Sequence, residues 1–216
     1  LFDLVASPNH QSVVQGLSLL DMLIESDEDL YDIFGRFDSS IELQQKIEHL
    51  RHWKHLYLWI LIKCHRLESA WTVHTPLVAL DLQYTNTPNL DEIDVLTNLQ
   101  ILNISRPQLK ELPDSISQLA NLQDIDLSGC HLTEFPSQLC YGPVCQSLQR
   151  IIIDDCNIRT LPESLPKIKH LAILSAHSTG VAELPENMHQ CAALHTLILS
   201  HRSLRMHYRK PAPLLI

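Results

Sequence analysis

The chain has 216 residues and a formal net charge of −9. That length fits one repeat domain with a small cap. The acidic balance disfavours nonspecific binding to nucleic acid, because the phosphates are also negative. No apolar run approaches the roughly 20 residues that a membrane-spanning helix needs. Because residue 1 is leucine, we expect a trimmed start, and a removed signal peptide stays open.

Residues 1–55 are predicted to form a helical N-terminal cap. Ser7 followed by Pro8 is typical of a helix start. Acids from Asp27 onwards suit the first turn of a second helix, and a third helix is predicted to begin near Ser39. The excess of acids in this region is interpreted as a solvated face.

Residues 56–76 are interpreted as a degenerate first repeat or a linker. The stretch 53–68 is compatible with a helix, but we favour a strand that opens the sheet. The preceding helices would then cover the exposed edge of that strand. Four of its residues keep the spacing of the repeats that follow: Leu56, Trp59, Leu61 and Cys64.

A repeat is predicted over residues 77–206. Its successive starts lie 22, 23, 26, 23 and 23 residues apart. Self-similarity at such a period is typical of a solenoid, in which each unit stacks on its neighbours. Counting the first leucine of each unit as position 1, the six starts are Leu77, Leu99, Leu122, Leu148, Leu171 and Leu194.

Each repeat combines two hydrophobic periods. Aliphatic residues at positions 4 and 6 have the strand period of two, so both point to one face. Positions 18 and 21 continue one face of a short helix or 3-10 turn. Proline at position 15 is predicted to be the first residue of that turn. These prolines are Pro113, Pro136, Pro162 and Pro185.

These positions resemble the leucine-rich repeat family. The match is closest to the intracellular type of about 23 residues, LxxLxLxxNxLxxLPxxIxxLxx, and covers residues 77–204. We therefore predict an α/β solenoid: a curved parallel sheet with short helical or 3-10 returns and an N-terminal α-helical cap. The helical segment ahead of the repeats is similar to the arrangement in several bacterial leucine-rich-repeat proteins and in type III secreted effectors.

Position 9, usually asparagine in the family, departs from that pattern throughout. Thr and Cys side chains can still donate a hydrogen bond to backbone, a thiol only weakly. Proline and arginine cannot do so in the same way, so the ladder of turns is predicted to be imperfect at both. The residues at position 9 are Thr85, Pro107, Cys130, Cys156, Thr179 and Arg202.

The six cysteines show no disulfide framework of the kind found in small secreted scaffolds. Cys130, Cys156 and Cys191 occupy inward-facing positions, which predicts buried free thiols. Such thiols favour a reducing compartment, so we expect a cytoplasmic protein, with secretion as the alternative.

The third repeat is three residues longer than its neighbours, and the extra length falls at residues 140–145, away from the strands. We interpret it as a tolerated surface insertion. A disulfide or metal pair between Cys140 and Cys145 stays open, although two cysteines are too few for a structural zinc site. Residues 207–216 are a C-terminal tail that either packs over the last strand or leads into further chain.

Positions 3, 5, 7 and 8 of the repeats form the concave face, whose middle is acidic and whose C-terminal third is apolar. Repeat proteins use such surfaces for recognition. We expect a protein or peptide partner with basic groups, no nucleic acid, no membrane and no cofactor. The predicted contact residues are Asp81, Tyr84, Asn103, Arg106, Asp124, Asp126, Arg150, Ile152, Asp154, Asp155, Ile173, His177, Ile198 and His201.

Asp154, His177 and Ser200 fall on three successive strands in the order acid, base and nucleophile. Neighbouring strands are about 4.8 Å apart, so hydrogen bonds between them are conceivable. A hydrolase also needs oxyanion donors and a pocket that excludes water, and an open sheet provides neither. We therefore disfavour an enzyme and predict no catalytic residues.

The histidines do not predict a metal site. His49, His52 and His55 would fan across a wide arc of a helix, and no carboxylate or cysteine completes a set with them. His177, His201 and Asp155 are a slightly better cluster, for which exposed histidine is still the preferred interpretation. The favoured function is that of an adaptor or sensor module. The alternative is a secreted bacterial effector or surface protein that engages a host partner through the same face.

Overall fold

The computed structural model describes residues 78–82, 90–105 and 109–199. The predicted cap (1–55), the degenerate repeat (56–76) and the tail (207–216) lie outside these residues. Within them, six short parallel strands follow one another in chain order. They are β1 (Ala79–Asp81), β2 (Ile101–Asn103), β3 (Asp124–Asp126), β4 (Arg150–Ile152), β5 (Ile173–Ala176) and β6 (Thr196–Leu199).

Equivalent positions of neighbouring repeats pair across the sheet. Ile125 in β3 lies opposite Leu102 in β2 and Ile151 in β4. The hydrogen-bond ladder continues beyond the strands, because Gly129 N–H donates to the Asp154 carbonyl at 2.7 Å. The parallel sheet predicted from the repeat is confirmed.

One hydrophobic core runs through the stack. Every side chain at positions 1, 4 and 6 of the four repeats between residues 99 and 193 is at most 1% exposed. Each fully buried aliphatic side chain contributes about 1.5–3 kcal/mol. In the last repeat, Leu194, Leu197 and Leu199 pack against this core but are only partly buried. The stacked units therefore share one interior, as the spacing predicts.

The returns between strands are short 3-10 helices, which close each repeat on the side opposite the sheet. Ile116, Leu119 and Leu165 are among the side chains that these returns place in the core, as positions 18 and 21 predict. The returns are Ile93–Val95, Asp114–Gln118, Ser137–Cys140, Pro143–Gln146, Leu165–Lys167 and Glu186–Gln190.

The repeat prolines precede the turns instead of beginning them. Pro113 has extended backbone, and its carbonyl accepts from the Ile116 N–H at 3.2 Å. Pro136 and Pro185 also stand one residue before a turn, and Pro162 lies further ahead. The prediction that proline is the first helical residue is therefore wrong. Proline fits the position before the helix as well as the first helical position, because it has no N–H that would be left unpaired. Its carbonyl at the N-cap already accepts the first hydrogen bond of the helix.

The longer third repeat contains a second 3-10 helix, Pro143–Gln146, that packs against Asp114–Gln118. Cys140, Val144 and Cys145 are buried, and both cysteines are free thiols. The position away from the strands is confirmed. The interpretation as a surface insertion is wrong, because the added apolar side chains extend the core.

A polar ladder that sequence reasoning missed joins the outer sides of the repeats at position 17. Ser115 Oγ donates to the Leu90 carbonyl at 3.1 Å, and Gln138 Nε2 donates to the Leu112 carbonyl at 2.9 Å. Each acceptor belongs to position 14 of the preceding repeat. The signal in the sequence is an amide or hydroxyl side chain at this position in four repeats: Ser115, Gln138, Ser164 and Asn187. Asn187 differs in its acceptor, because its Nδ2 donates to the Glu163 carbonyl at 2.7 Å.

Two thiols take the place of the family's asparagine at position 9. Cys130 Sγ donates to the Ile104 carbonyl at 3.4 Å. Cys156 Sγ donates to the Leu127 carbonyl at 3.2 Å. Each bond reaches position 6 of the preceding repeat, so the predicted backbone bonding by cysteine is confirmed. Cys130 and Cys156 are buried and form no disulfide within the described residues, whereas Cys191 is partly buried.

Stability should fall as the pH rises from 9 to 11, and Cys156 should contribute to that slope. Burial raises the pKa of the Cys156 thiol from 9.0 to about 11. In this window the unfolded thiol has lost its proton and the folded thiol keeps it. Folding therefore weakens by up to about 1.4 kcal/mol per pH unit from this group. Urea unfolding between pH 8 and 11 measures the slope, and Cys156→Ser, whose hydroxyl does not titrate there, should flatten it. Identical slopes for the two proteins would refute this assignment.

Candidate functional site

The concave face follows from strand alternation. In β2, β3 and β4 the middle residue is buried, while the residues on either side are exposed or partly exposed. These outward residues are positions 3 and 5 of the repeats, so the parallel register aligns them in rows across the sheet. The fold thus holds two rows of side chains on a fixed backbone without using them in the core.

An ion pair crosses the middle of this face. Arg150 Nη2 donates to Asp124 Oδ2 at 2.9 Å, and these residues are direct neighbours in the register of β3 and β4. Both side chains are partly solvent-exposed, so the pair adds little stability. Arg150 therefore neutralises Asp124 and does not neutralise the other acids of this face.

Asp126 is fixed by the turn that follows β3. Its Oδ1 accepts from the Ser128 N–H at 2.9 Å and from the Ser128 hydroxyl at 2.5 Å. Asn103 makes the equivalent bond one repeat earlier, to the Ser105 N–H at 3.0 Å. These local bonds shape the strand ends and hold the side chains in one orientation.

Asp154 is held by the next repeat. Its Oδ1 accepts from the Ser175 hydroxyl at 2.6 Å and from the His177 backbone N–H at 2.7 Å. Ser175 is a buried serine at position 5, which sequence reasoning did not select as a site residue. In the strand register Ser175 lies between Ile152 of β4 and Ile198 of β6, so a serine stands where both neighbouring strands have isoleucine. That change of residue type was the available signal.

The geometry of Asp154 bears on the triplet Asp154, His177 and Ser200. Among the described residues, the carboxylate bonds the His177 backbone and not its imidazole. Ser200 lies outside those residues. The described part of the triplet therefore lacks the acid-to-imidazole bond that orients a catalytic base.

Position 8, just after the strand, has left-handed backbone. Gly129 has φ 70°, Asp155 has φ 55° and Ser178 has φ 54°. Glycine adopts this conformation without penalty, whereas other residues are strained by it, and aspartate tolerates it better than most. The turn places exposed Asp155 next to Asp154 at the rim of the concave face.

Apolar side chains stand beside these acids. Ile152 and Ile173 are partly exposed, and Ile198 is 43% exposed. Ile101, near the other end of the sheet, is equally exposed at 43%. Large aliphatic groups left in water on a fixed surface can contribute to binding when a partner covers them.

The predicted contact residues are divided by what the structure describes. Asp81, partly exposed, lies on β1 and has an interaction partner, and His177 is exposed after β5. Tyr84, Arg106 and His201 lie outside the described residues. Of the described contact residues, five are carboxylates and one is arginine, which leaves four net negative charges.

Two further observations concern metals and membranes. In the described part of the chain, no three His, Cys, Asp or Glu side chains are grouped to hold a metal ion. The same part contains no helix with the length and apolar character needed to span a bilayer.

The repeat geometry agrees with comparison to known proteins. A family model described as Leucine Rich Repeat matches residues 121–141, the third repeat of the stack. The described region is a leucine-rich-repeat solenoid. No curated protein sequence matches this chain.

Two solved leucine-rich-repeat-like structures resemble this fold. A leucine-rich-repeat protein of Leptospira interrogans superimposes with a TM-score of 0.53 at 22% identity, over 68% of this chain and 35% of that one. TLR13, in a complex with ssRNA13, gives a TM-score of 0.53 at 24% identity, over 63% of this chain and 19% of that one. This chain thus spans about a third and a fifth of those proteins.

Proposed function

We propose that the concave face of this leucine-rich-repeat solenoid binds a protein or peptide with basic groups, in a noncatalytic adaptor or sensor role. The observation that carries the proposal is that exposed aliphatic side chains share one sheet with Asp126 and Asp154, which form no ion pair within the described residues. Burial of the isoleucines supplies affinity, and the acids supply selectivity and a faster encounter.

Rigidity supports this function. Asp126 and Asp154 each have one oxygen bound by the fold, so their side chains are already oriented before a partner arrives. A partner therefore does not have to order them, which lowers the entropic cost of association. The strands below are fixed by a buried core, so the surface keeps its shape.

The same charges argue against RNA as the ligand, although TLR13 is in a complex with ssRNA13. Among the contact residues that the structure describes, five carboxylates stand against one arginine, and this negative balance repels phosphates. None of the five described cysteines forms a disulfide, which supports our proposal of a reducing, cytoplasmic setting.

Capture of partners from lysate by immobilised protein tests the concave site. The double variant Asp126→Lys/Asp154→Lys should lose the captured partner, with affinity reduced on the order of tenfold or more. The variant Asp126→Asn/Asp154→Asn keeps the Oδ1 acceptors, so it separates loss of charge from loss of folding. It should also bind more weakly.

The matched control is Glu134→Lys/Glu183→Lys, which makes the same charge change at exposed positions outside the concave rows. It should bind as the unaltered protein does. A single-stranded RNA oligonucleotide at physiological salt should give no saturable signal. Unchanged capture by the Asp126→Lys/Asp154→Lys protein would show that the partner binds elsewhere.

A further inference from the structure

Three isoleucines form an apolar patch at the C-terminal half of the concave face. Ile152 and Ile198 occupy position 5 on β4 and β6, and each lies beside Ser175 of β5 in the register. Ile173 occupies position 3 of β5, on the same face. Ser175 between them is buried. We call Ile152, Ile173 and Ile198 the isoleucine patch.

The charges that border this patch are mostly negative, although Arg150 lies opposite Ile173 in the register of β4 and β5. Asp126 pairs directly with Ile152 across β3 and β4, so their backbones are roughly 5 Å apart. Asp154 lies two residues beyond Ile152 on the same chain segment, roughly 7 Å away. The only described arginine on this face, Arg150, is engaged with Asp124. A group that covers the patch therefore meets negative charge on the β3 and β4 side.

We propose that the occupant of the isoleucine patch is a protein segment in which an arginine lies two to four residues from a large aliphatic or aromatic residue. The inference rests on the proposed function and names the chemistry of its partner. The apolar side chain covers the patch, and the guanidinium reaches Asp126 and Asp154. The spacing follows from the roughly 7 Å between Ile152 and Asp154, which two residues of an extended segment or one turn of a helix span.

Arginine fits this site better than lysine. Oδ1 of Asp154 accepts from Ser175 and from the His177 N–H, and Oδ1 of Asp126 accepts twice from Ser128. In the described residues, Oδ2 of each carboxylate carries no such bond. A planar guanidinium has donors on several edges and can bond two carboxylates at once, whereas an ammonium acts as a point charge.

Selection from a phage-displayed library of random linear peptides tests the proposal with the full chain. Peptides retained by the protein should be enriched in arginine within four residues of Leu, Ile, Phe or Trp. A synthetic peptide from the selected pool should bind at least about tenfold more weakly to Ile198→Asp and to Asp154→Asn. It should bind normally to Glu134→Gln, an exposed acid outside the concave rows. Raising the salt should weaken binding of this peptide.

The outcomes separate this inference from the proposed function. Peptides that lose binding with Ile198→Asp but show no enrichment in arginine overturn the inference and leave the concave site in place. Peptides that bind Ile198→Asp and Asp126→Lys/Asp154→Lys as well as the unaltered protein overturn both. A pool with no enrichment over empty beads also contradicts the inference. Circular dichroism of each variant establishes that it is folded.

Discussion

Replacing Gly142 with alanine should destabilise the protein by about 3 kcal/mol. Gly142 has φ 65° and ψ −167°, a region that is essentially restricted to glycine. A Cβ built there would lie 2.6 Å from the Ser117 carbonyl oxygen, which belongs to the backbone of the preceding repeat. Neither the turn nor Ser117 can move without disturbing the packed 3-10 helix Pro143–Gln146.

Gly180→Ala is the matched control. A Cβ at Gly180 would meet Arg159 Cγ and the Ile158 carbonyl oxygen at 3.3 Å, a contact that small shifts relieve. We expect a loss below about 1 kcal/mol. Guanidinium unfolding of both variants, followed by circular dichroism, measures the difference. Equal losses of stability would show that Gly142 does not pack as closely against Ser117 as the structure indicates.

Adjacent isoleucines on β4 should respond very differently to truncation. Ile151→Ala should cost about 3–4 kcal/mol, because this side chain is fully buried and its removal leaves a cavity. Ile152→Ala should cost less than about 1 kcal/mol, because the side chain is partly exposed on the concave face and water can fill the space.

The same chemical change at neighbouring positions makes this a controlled pair. Both variants remove the same atoms from the same strand, so their β-propensity cost is nearly shared. Denaturant midpoints give the two losses of stability. If Ile152→Ala were as costly as Ile151→Ala, the assignment of inner and outer faces would be wrong.

The core could be predicted because two simple periods determine it. A spacing of two within a strand sends Ile125 and Leu127 to one side, and repetition of the unit brings Ile151 and Ile153 beside them. No long-range information is needed, since each unit packs on its neighbour in sequence. For the same reason the concave rows could be assigned residue by residue.

The insertion could not be predicted in this way, because its length breaks the period. The spacing of the repeats indicates where the extra residues are inserted, but it does not indicate whether their side chains enter the core. The apolar character of Cys140, Val144 and Cys145 was the available signal. The left-handed backbone of Gly142 and its close approach to Ser117 are what allow that segment to turn inward.

The hydrogen-bond partners of the site residues also could not be predicted from the sequence. The row assignment placed Asp154 and His177 next to each other, yet it could not say which atoms would meet. The backbone N–H of His177 reaches the carboxylate, and the Ser175 hydroxyl shares the same oxygen. Such choices depend on side-chain rotamers and on competing donors, which residue types alone do not determine.

The most direct test of the claim that one side of the sheet is core and the other binds is a double measurement on Ile151→Ala and Ile152→Ala. Stability and affinity for a captured partner or selected peptide are measured on both proteins. Ile151→Ala should lose stability and, where still folded, keep its affinity. Ile152→Ala should keep its stability and bind severalfold more weakly. A partner that binds Ile152→Ala as tightly as the unaltered protein, or loses affinity only with Ile151→Ala, would contradict the account.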